Sequence, residues 1–127
     1  MANESMADQL ERRRSEALKV FKDYPDKISQ EIQDKILAQQ VALGMTPYDA
    51  YLAAGAHYFK VSADPEKWKP NVDPHRVMWA QSIAPDNSEI WMTFQTDTQY
   101  RGEGQQRFEV RFEKGKAVEI IKLRAGK

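Results

Sequence analysis

Apolar and charged residues alternate near the carboxyl end of the chain. Phe108, Val110 and Phe112 occupy every second position, with charged residues between them, which is typical of a β-strand that buries one face. Lys114-Gly115 then predicts a tight hairpin turn, and the one-face pattern resumes as far as about Leu123. The chain therefore has to form an antiparallel sheet whose apolar face is covered by another layer.

Two further segments alternate in the same way. Residues 77–83 and 90–96 carry mostly apolar side chains at every second position, with Gln81 and Thr96 as the polar members, and Pro85-Asp86-Asn87-Ser88 between them has strong turn chemistry. These segments are predicted as paired strands, so a four-stranded antiparallel meander is the simplest topology. Residues 57–73 are predicted as a long, partly ordered loop, because prolines within and directly after them interrupt any continuous helix or central strand.

The amino-terminal half carries helical signals. Residues 8–22 place apolar side chains at helical spacing among many charges, and residues 29–40 carry a second apolar stripe. Gly44-Met45-Thr46-Pro47-Tyr48-Asp49 predicts the start of a third helix, because threonine can cap, proline suits the first helical position and aspartate completes a capping box. Gly55 is expected to end this helix in a left-handed conformation.

Taken together, these signals predict an α+β fold in two layers, with two or three amino-terminal helices packed on a three- to four-stranded antiparallel β-meander. We divide the chain into a helical appendage at residues 1–24 and an α+β domain at residues 25–127. The division rests on the first helix, whose charges outnumber its core-directed side chains and which Tyr24-Pro25 ends.

Composition excludes several classes of function. Lys and Arg together number 19, as do Asp and Glu, so the formal net charge is zero and no global field attracts nucleic acid or anionic lipid. The run Arg12-Arg13-Arg14 lies between Glu11 and Glu16, which is typical of a solvated helix face. The chain has no cysteine, which excludes a disulfide framework, a thiol nucleophile and thiolate metal sites. No apolar run approaches the ~20 residues that span a bilayer.

The order of three segments resembles the BamE/SmpA (OmlA-like) family of small bacterial outer-membrane lipoprotein domains. A helix such as Ile28–Ile36 leads to the helix start at Gly44-Met45-Thr46, and Phe112–Val118 later forms a terminal hairpin. The resemblance covers roughly residues 28–123. It implies a non-enzymatic module that helps to assemble or stabilise an envelope complex. It implies the periplasmic face of the outer membrane if a lipoprotein signal was removed upstream, and the alternative is the cytoplasm.

Candidate acid–base or metal chemistry is confined to the neighbourhood of two histidines. His57 and His75 lie in or beside the predicted loop, with Asp64, Glu66 and Asp73 nearby in sequence. Their spacing matches no ligand motif, and no serine lies in a nucleophile-elbow pattern. We therefore assign no catalytic residue, no metal and no cofactor.

Aromatic residues in and beside the predicted loop form a candidate interaction surface. Periodicity does not require large rings there, and loops on a rigid scaffold often carry binding residues. Core packing of these rings is the alternative interpretation, and Trp79 or Trp91 on the predicted strands is expected to lie closer to the core. The predicted partner-binding residues are Tyr58, Phe59, Trp68 and Lys69.

The sequence thus favours a non-enzymatic adaptor or interaction module of the bacterial envelope that assists outer-membrane assembly or integrity. Its expected partner is an envelope protein or a membrane lipid headgroup, and not nucleic acid. Two alternatives stay open: a small-ligand-binding protein that uses the groove between helices and sheet, and a small hydrolase. The oligomeric state also stays open.

Overall fold

The computed structural model describes residues 6–55, 58–100 and 106–123. Within these ranges the elements, in chain order, are α1 (Met6–Asp23), α2 (Gln30–Leu37), α3 (Pro47–Ala54), β1 (Tyr58–Ser62), α4 (Pro74–Ala80), β2 (Glu89–Thr96), β3 (Gln106–Glu113) and β4 (Lys116–Leu123). The predicted α+β class is confirmed. Within the described part of the chain, no helix combines the length and the apolar composition needed to cross a membrane.

The four described strands form one antiparallel sheet in the order β1-β2-β3-β4. The turn from β3 to β4 consists of Lys114 and Gly115, which have φ values of 51° and 77°. Positive φ at both central residues matches the right-handed twist of the flanking strands, which explains the tight turn. The predicted antiparallel four-stranded architecture and its terminal hairpin are therefore confirmed, but the first strand comes from a different segment than predicted.

The core lies between the helices and the inner face of the sheet. Phe94, Phe108 and Phe112 on that face are fully buried, and the rings of Phe94 and Phe108 stack with centroids 5.3 Å apart. From the helical layer, α3 contributes small and aliphatic side chains, including Leu52 and Ala53. Full burial of each phenylalanine contributes about 1.5–3 kcal/mol to stability.

The start of α3 is the capping box that the sequence predicts. The Thr46 hydroxyl accepts a hydrogen bond from the Asp49 N–H, the Asp49 carboxylate accepts one from the Thr46 N–H, and Pro47 follows the cap. Burial raises the pKa of the Asp49 carboxyl, although its hydrogen bonds to Thr46 oppose the shift. Gly55 follows the last helical residue with φ of 64°, as predicted.

The segment before α3 is hydrogen-bonded to the last strand. The Gly44 N–H donates to the Ala117 carbonyl at 2.9 Å, and the Ala117 N–H donates to the Met45 carbonyl at 2.7 Å. The Met45 side chain is fully buried beneath this junction. The helix start and the terminal hairpin, which are distant in sequence, therefore form one structural unit that covers the outer edge of β4 at Ala117.

The strand predicted at residues 77–83 is wrong, because these residues lie in α4 and the turn after it. Asp73 caps this helix by accepting a hydrogen bond from the His75 N–H at 3.0 Å, and Pro74 occupies its first turn. A helix suits the segment because Val77 and Gln81, four residues apart, are both buried.

The loop predicted at residues 57–73 contains the strand that pairs with β2 instead. In β1, Phe59 lies opposite Met92 and Val61 lies opposite Ile90. The strand ends at Ser62, before the first proline of the segment at Pro65, so the prolines do not interrupt it. Its short length and its edge position explain why the alternation of only five residues was insufficient to predict it.

The first helix, predicted as an appendage, packs against α2 and α3. Ala17 is fully buried in the core, and Phe21 is half-buried against it. The Tyr48 hydroxyl donates a hydrogen bond to Glu16 at 2.5 Å. The structure therefore shows contacts between α1 and the α+β domain, and the division of the chain at residue 24 stays a prediction.

Candidate functional site

Two of the predicted partner-binding residues lie on opposite faces of the sheet. Tyr58 and Phe59 are consecutive in β1, so their side chains diverge. Tyr58 is 62% exposed, whereas the Phe59 ring packs against the core and meets the His75 ring edge-on at 4.7 Å. The structure therefore separates these two rings, with Tyr58 exposed on the outer face and Phe59 half-buried on the inner face.

Trp68 is half-buried, and its side chain is hydrogen-bonded to the turn that contains Asp86. Its indole N–H donates to the Asp86 carboxylate at 2.8 Å, and the Lys67 ammonium lies 3.5 Å from the same carboxylate. Burial alone would raise the pKa of Asp86, but hydrogen bonds from Ser88 and Trp68 outweigh it and lower the pKa to about 2. Neighbouring Lys69 is exposed. Trp68 thus has a structural partner within the chain.

The acidic residues considered for acid–base or metal chemistry also have structural roles. The Asp64 carboxylate accepts hydrogen bonds from the N–H groups of Glu66 and Asn87, and Asp73 caps α4. His57 lies outside the described residues, so its position is not assigned. The described residues contain no group of three or more His, Asp or Glu side chains that could hold a metal ion.

The outer face of the sheet points away from the helices and is called the open sheet face below. Strand alternation places Trp91 near its centre, between Lys60 on β1 and Arg111 on β3 in the same cross-strand row. Its members are Tyr58, Lys60, Ser62, Glu89, Trp91, Thr93, Gln95, Arg107, Glu109, Arg111, Glu113, Lys116, Glu119, Ile121 and Leu123.

Charge on the open sheet face is organised around Arg111. Its guanidinium forms ion pairs with the carboxylates of Glu89, Glu113 and Glu119, and its Nε donates to Glu119 at 3.1 Å. The arginine side chain is 29% exposed, so its orientation is fixed by three carboxylates near the surface. A guanidinium can satisfy several carboxylates at once because its five N–H donors lie in one rigid plane.

Trp91 is half-buried on this face, whereas Trp79 packs against the core, so of the two tryptophans expected closer to the core only Trp79 contacts it. The Lys60 ammonium lies 5.3 Å from the centroid of the Trp91 ring, a cation–π contact. Trp79 is not on a strand but on α4, where it is half-buried and meets the rings of Tyr48 and Tyr51 edge-on. The alternation of residues 90–96 already placed position 91 on the wetter face, and this signal could have found Trp91.

The groove between helices and sheet is a packed core in the described structure. Side chains of Ile90, Met92 and Val110 fill it together with the buried phenylalanines, all at zero exposure. A small ligand has no space there without displacing core side chains, which would be strongly unfavourable. The arrangement therefore favours surface recognition over ligand binding in that groove.

The fold and surface define a class, a two-layer α+β domain with an open antiparallel sheet face. No protein-family model, curated protein or solved structure matches this chain.

Proposed function

We propose that this chain is a non-enzymatic adaptor domain of the bacterial envelope that binds a protein partner through its open sheet face. The observation that carries the proposal is the combination of exposed Tyr58 with half-buried Trp91 on a face that points away from the helices. Tyrosine, tryptophan and arginine are enriched at protein interfaces, because they offer large contact areas together with polar groups.

The open sheet face has a centre of fixed side chains and exposed apolar side chains on its two edge strands. Arg111 and Trp91 are fixed by ion pairs and by the Lys60 contact, so ordering them on binding loses little entropy. Tyr58 lies on the edge strand and Ile121, 38% exposed, lies on the opposite edge strand. A partner that covers both would bury apolar area around a polar centre.

The envelope location rests on the resemblance to the BamE/SmpA family. Its two principal motifs, at residues 44–46 and 112–118, are the parts joined by hydrogen bonds at Ala117. This junction supports reading them as one unit. Because residues 58–62 and 74–80 form β1 and α4 between them, the open sheet face has one more strand than the resemblance implies.

Site-specific photocrosslinking in cells of the source bacterium tests the proposal. A photoreactive phenylalanine analogue replaces Tyr58, or Tyr24 as the control, because Tyr24 is similarly exposed at 56% but follows α1. We expect a defined protein adduct from position 58 in the envelope fraction, none from position 24, and loss of the adduct in a Trp91→Ala background.

Equal adducts from both positions, or none from position 58, would contradict the open sheet face as the binding surface. An adduct found only in the cytoplasmic fraction would contradict the envelope location. Flotation with vesicles of phosphatidylethanolamine and phosphatidylglycerol separates the lipid alternative. Binding to these vesicles that is lost in Tyr58→Ser but kept in Tyr24→Ser would assign the face to headgroups and overturn the protein-partner proposal.

A further inference from the structure

The first helix is held by a narrow stripe of side chains. Among its described side chains, only Ala17 is fully buried, and those at positions 13, 16, 20 and 21 are half-buried. This spacing of three and four residues defines one face of an amphipathic helix. The remaining described side chains of α1 are exposed, so the described part of the helix places only Ala17 fully in the core.

The surface of α2 and α3 that α1 covers is called the seat below. At Arg13, the contact between α1 and this seat leaves a polar atom without a partner. The guanidinium lies over Gly55, where an added Cβ would be 2.6 Å from an arginine nitrogen. A cation is favourable there, since α3 has no basic residue in its own last turn. However, the Arg13 Nε is buried without a hydrogen-bond partner, and burial lowers the pKa of the group. The seat therefore holds an unsatisfied donor.

A crevice of about 10 Å³ remains beside Ala17, between α1 and the pair formed by α2 and α3. Ile36 and Leu52 line it from the side of the seat. A space of this size is room for about one water molecule, and the side chains on its walls lose packing contacts there. The crevice, the unsatisfied Arg13 donor and the narrow stripe of buried side chains all occur along the same helix.

We propose that α1 is a displaceable plug, and that its seat on α2 and α3 receives an amphipathic helix of a partner protein in its place. The bound α1 shows what the seat recognises. The incoming helix needs a small residue at the position of Ala17, a carboxylate one position earlier to accept from Tyr48, and a cation near the Gly55 end of α3. Recognition of a helix in a groove by anchors at such spacing is a common mode of binding.

This proposal is independent of the open sheet face, which lies on the other layer of the molecule. Undocking of α1 would leave the sheet and its outer surface unchanged. The two proposals can therefore fail separately.

Thiol labelling of the full chain tests the displacement. The chain has no cysteine, so Ala17→Cys and its matched control Ala53→Cys each carry a single thiol at a position with zero exposure. If α1 undocks without global unfolding, the thiol at position 17 should react with a disulfide reagent at least about 10-fold faster than the thiol at position 53 in native buffer. Equal rates would mean that α1 opens only when the whole domain unfolds, and would overturn the proposal.

Peptide binding tests the recognition. A fluorescent peptide of residues 6–23 is used as the model of the partner helix. The full chain carries Ala17→Asp, which is expected to undock its own α1. We expect the peptide to bind this variant about 10-fold more tightly than the unmodified chain, in which the seat is occupied. The same peptide with Ala17→Asp should not bind. A variant chain that no longer unfolds cooperatively, or equal peptide affinity for both chains, would overturn the proposal. Dimers of the unmodified chain in size-exclusion chromatography that the peptide dissociates would assign the seat to a second copy.

Discussion

Gly115 lies in the hairpin turn where the backbone approaches the end of α4 very closely. A Cβ added there would lie 2.3 Å from the Gln81 carbonyl oxygen and 3.1 Å from Pro85 side-chain carbons. Its φ of 77° is also in the left-handed region. Gly115→Ala therefore combines a left-handed penalty of ~1–2 kcal/mol with an overpacking penalty of ~1–3 kcal/mol, because the clash is with backbone that cannot rotate away.

Gly44→Ala is the matched control for this variant. Gly44 has φ of 90°, but nothing lies within 4 Å of its added Cβ, so the substitution carries the left-handed penalty alone. We expect urea denaturation to give a loss of about 2–5 kcal/mol for Gly115→Ala and about 1–2 kcal/mol for Gly44→Ala, with unchanged m-values. Equal losses in the two variants would refute the close approach of Gly115 to Gln81.

Three further predictions follow from the capping and turn contacts. Thr46→Ala should lower the free energy of unfolding by about 1 kcal/mol, measured by denaturation, because it removes the cap of α3; an unchanged midpoint would contradict the capping box. Asp86 has a lowered pKa in the folded state, so its stabilising contribution is present above the unfolded value of 3.8 and is lost as the pH falls towards about 2. Asp86→Ala should accordingly flatten the loss of stability between pH 4 and 2, and a slope equal to that of the unmodified chain would show that another carboxylate is responsible. Deleting residues 1–24 should leave a cooperative thermal transition with a lower midpoint, because α1 contributes Ala17 but no large, fully buried side chain in its described part; loss of the transition would make α1 an obligatory part of the core.

Local chemistry was the most predictable part of this fold. The capping box at Thr46 and the turn at Lys114-Gly115 are determined by residues within a few positions, and both were predicted correctly. The strand predicted at residues 77–83 is wrong, because alternation favoured a strand there although Asp73-Pro74 is a helix start like Thr46-Pro47. Strand alternation and helix capping conflict in this segment, and tertiary packing determines that the helix forms.

The candidate site was less predictable than the fold. Tyr58 was identified as a candidate contact residue, and the structure places it on the open sheet face, but its role as a binding residue stays a prediction. The pairing of Trp91 with Lys60, and of Arg111 with three glutamates, depends on strand register. Register across β1, β2 and β3 joins residues far apart in sequence, so no local pattern contains it.

The position of β3 in the sheet has a consequence for how the chain acquires its structure during synthesis. This strand lies between β2 and β4 and carries the buried side chains of Phe108, Val110 and Phe112, yet it follows all four described helices in the chain. Until β3 has left the ribosome, only β1 and β2 are available to cover the apolar side of α3, and a helix of eight residues is not stable alone. We therefore expect the nascent chain to expose aggregation-prone apolar segments until its last two strands emerge, and to depend on a chaperone during that interval.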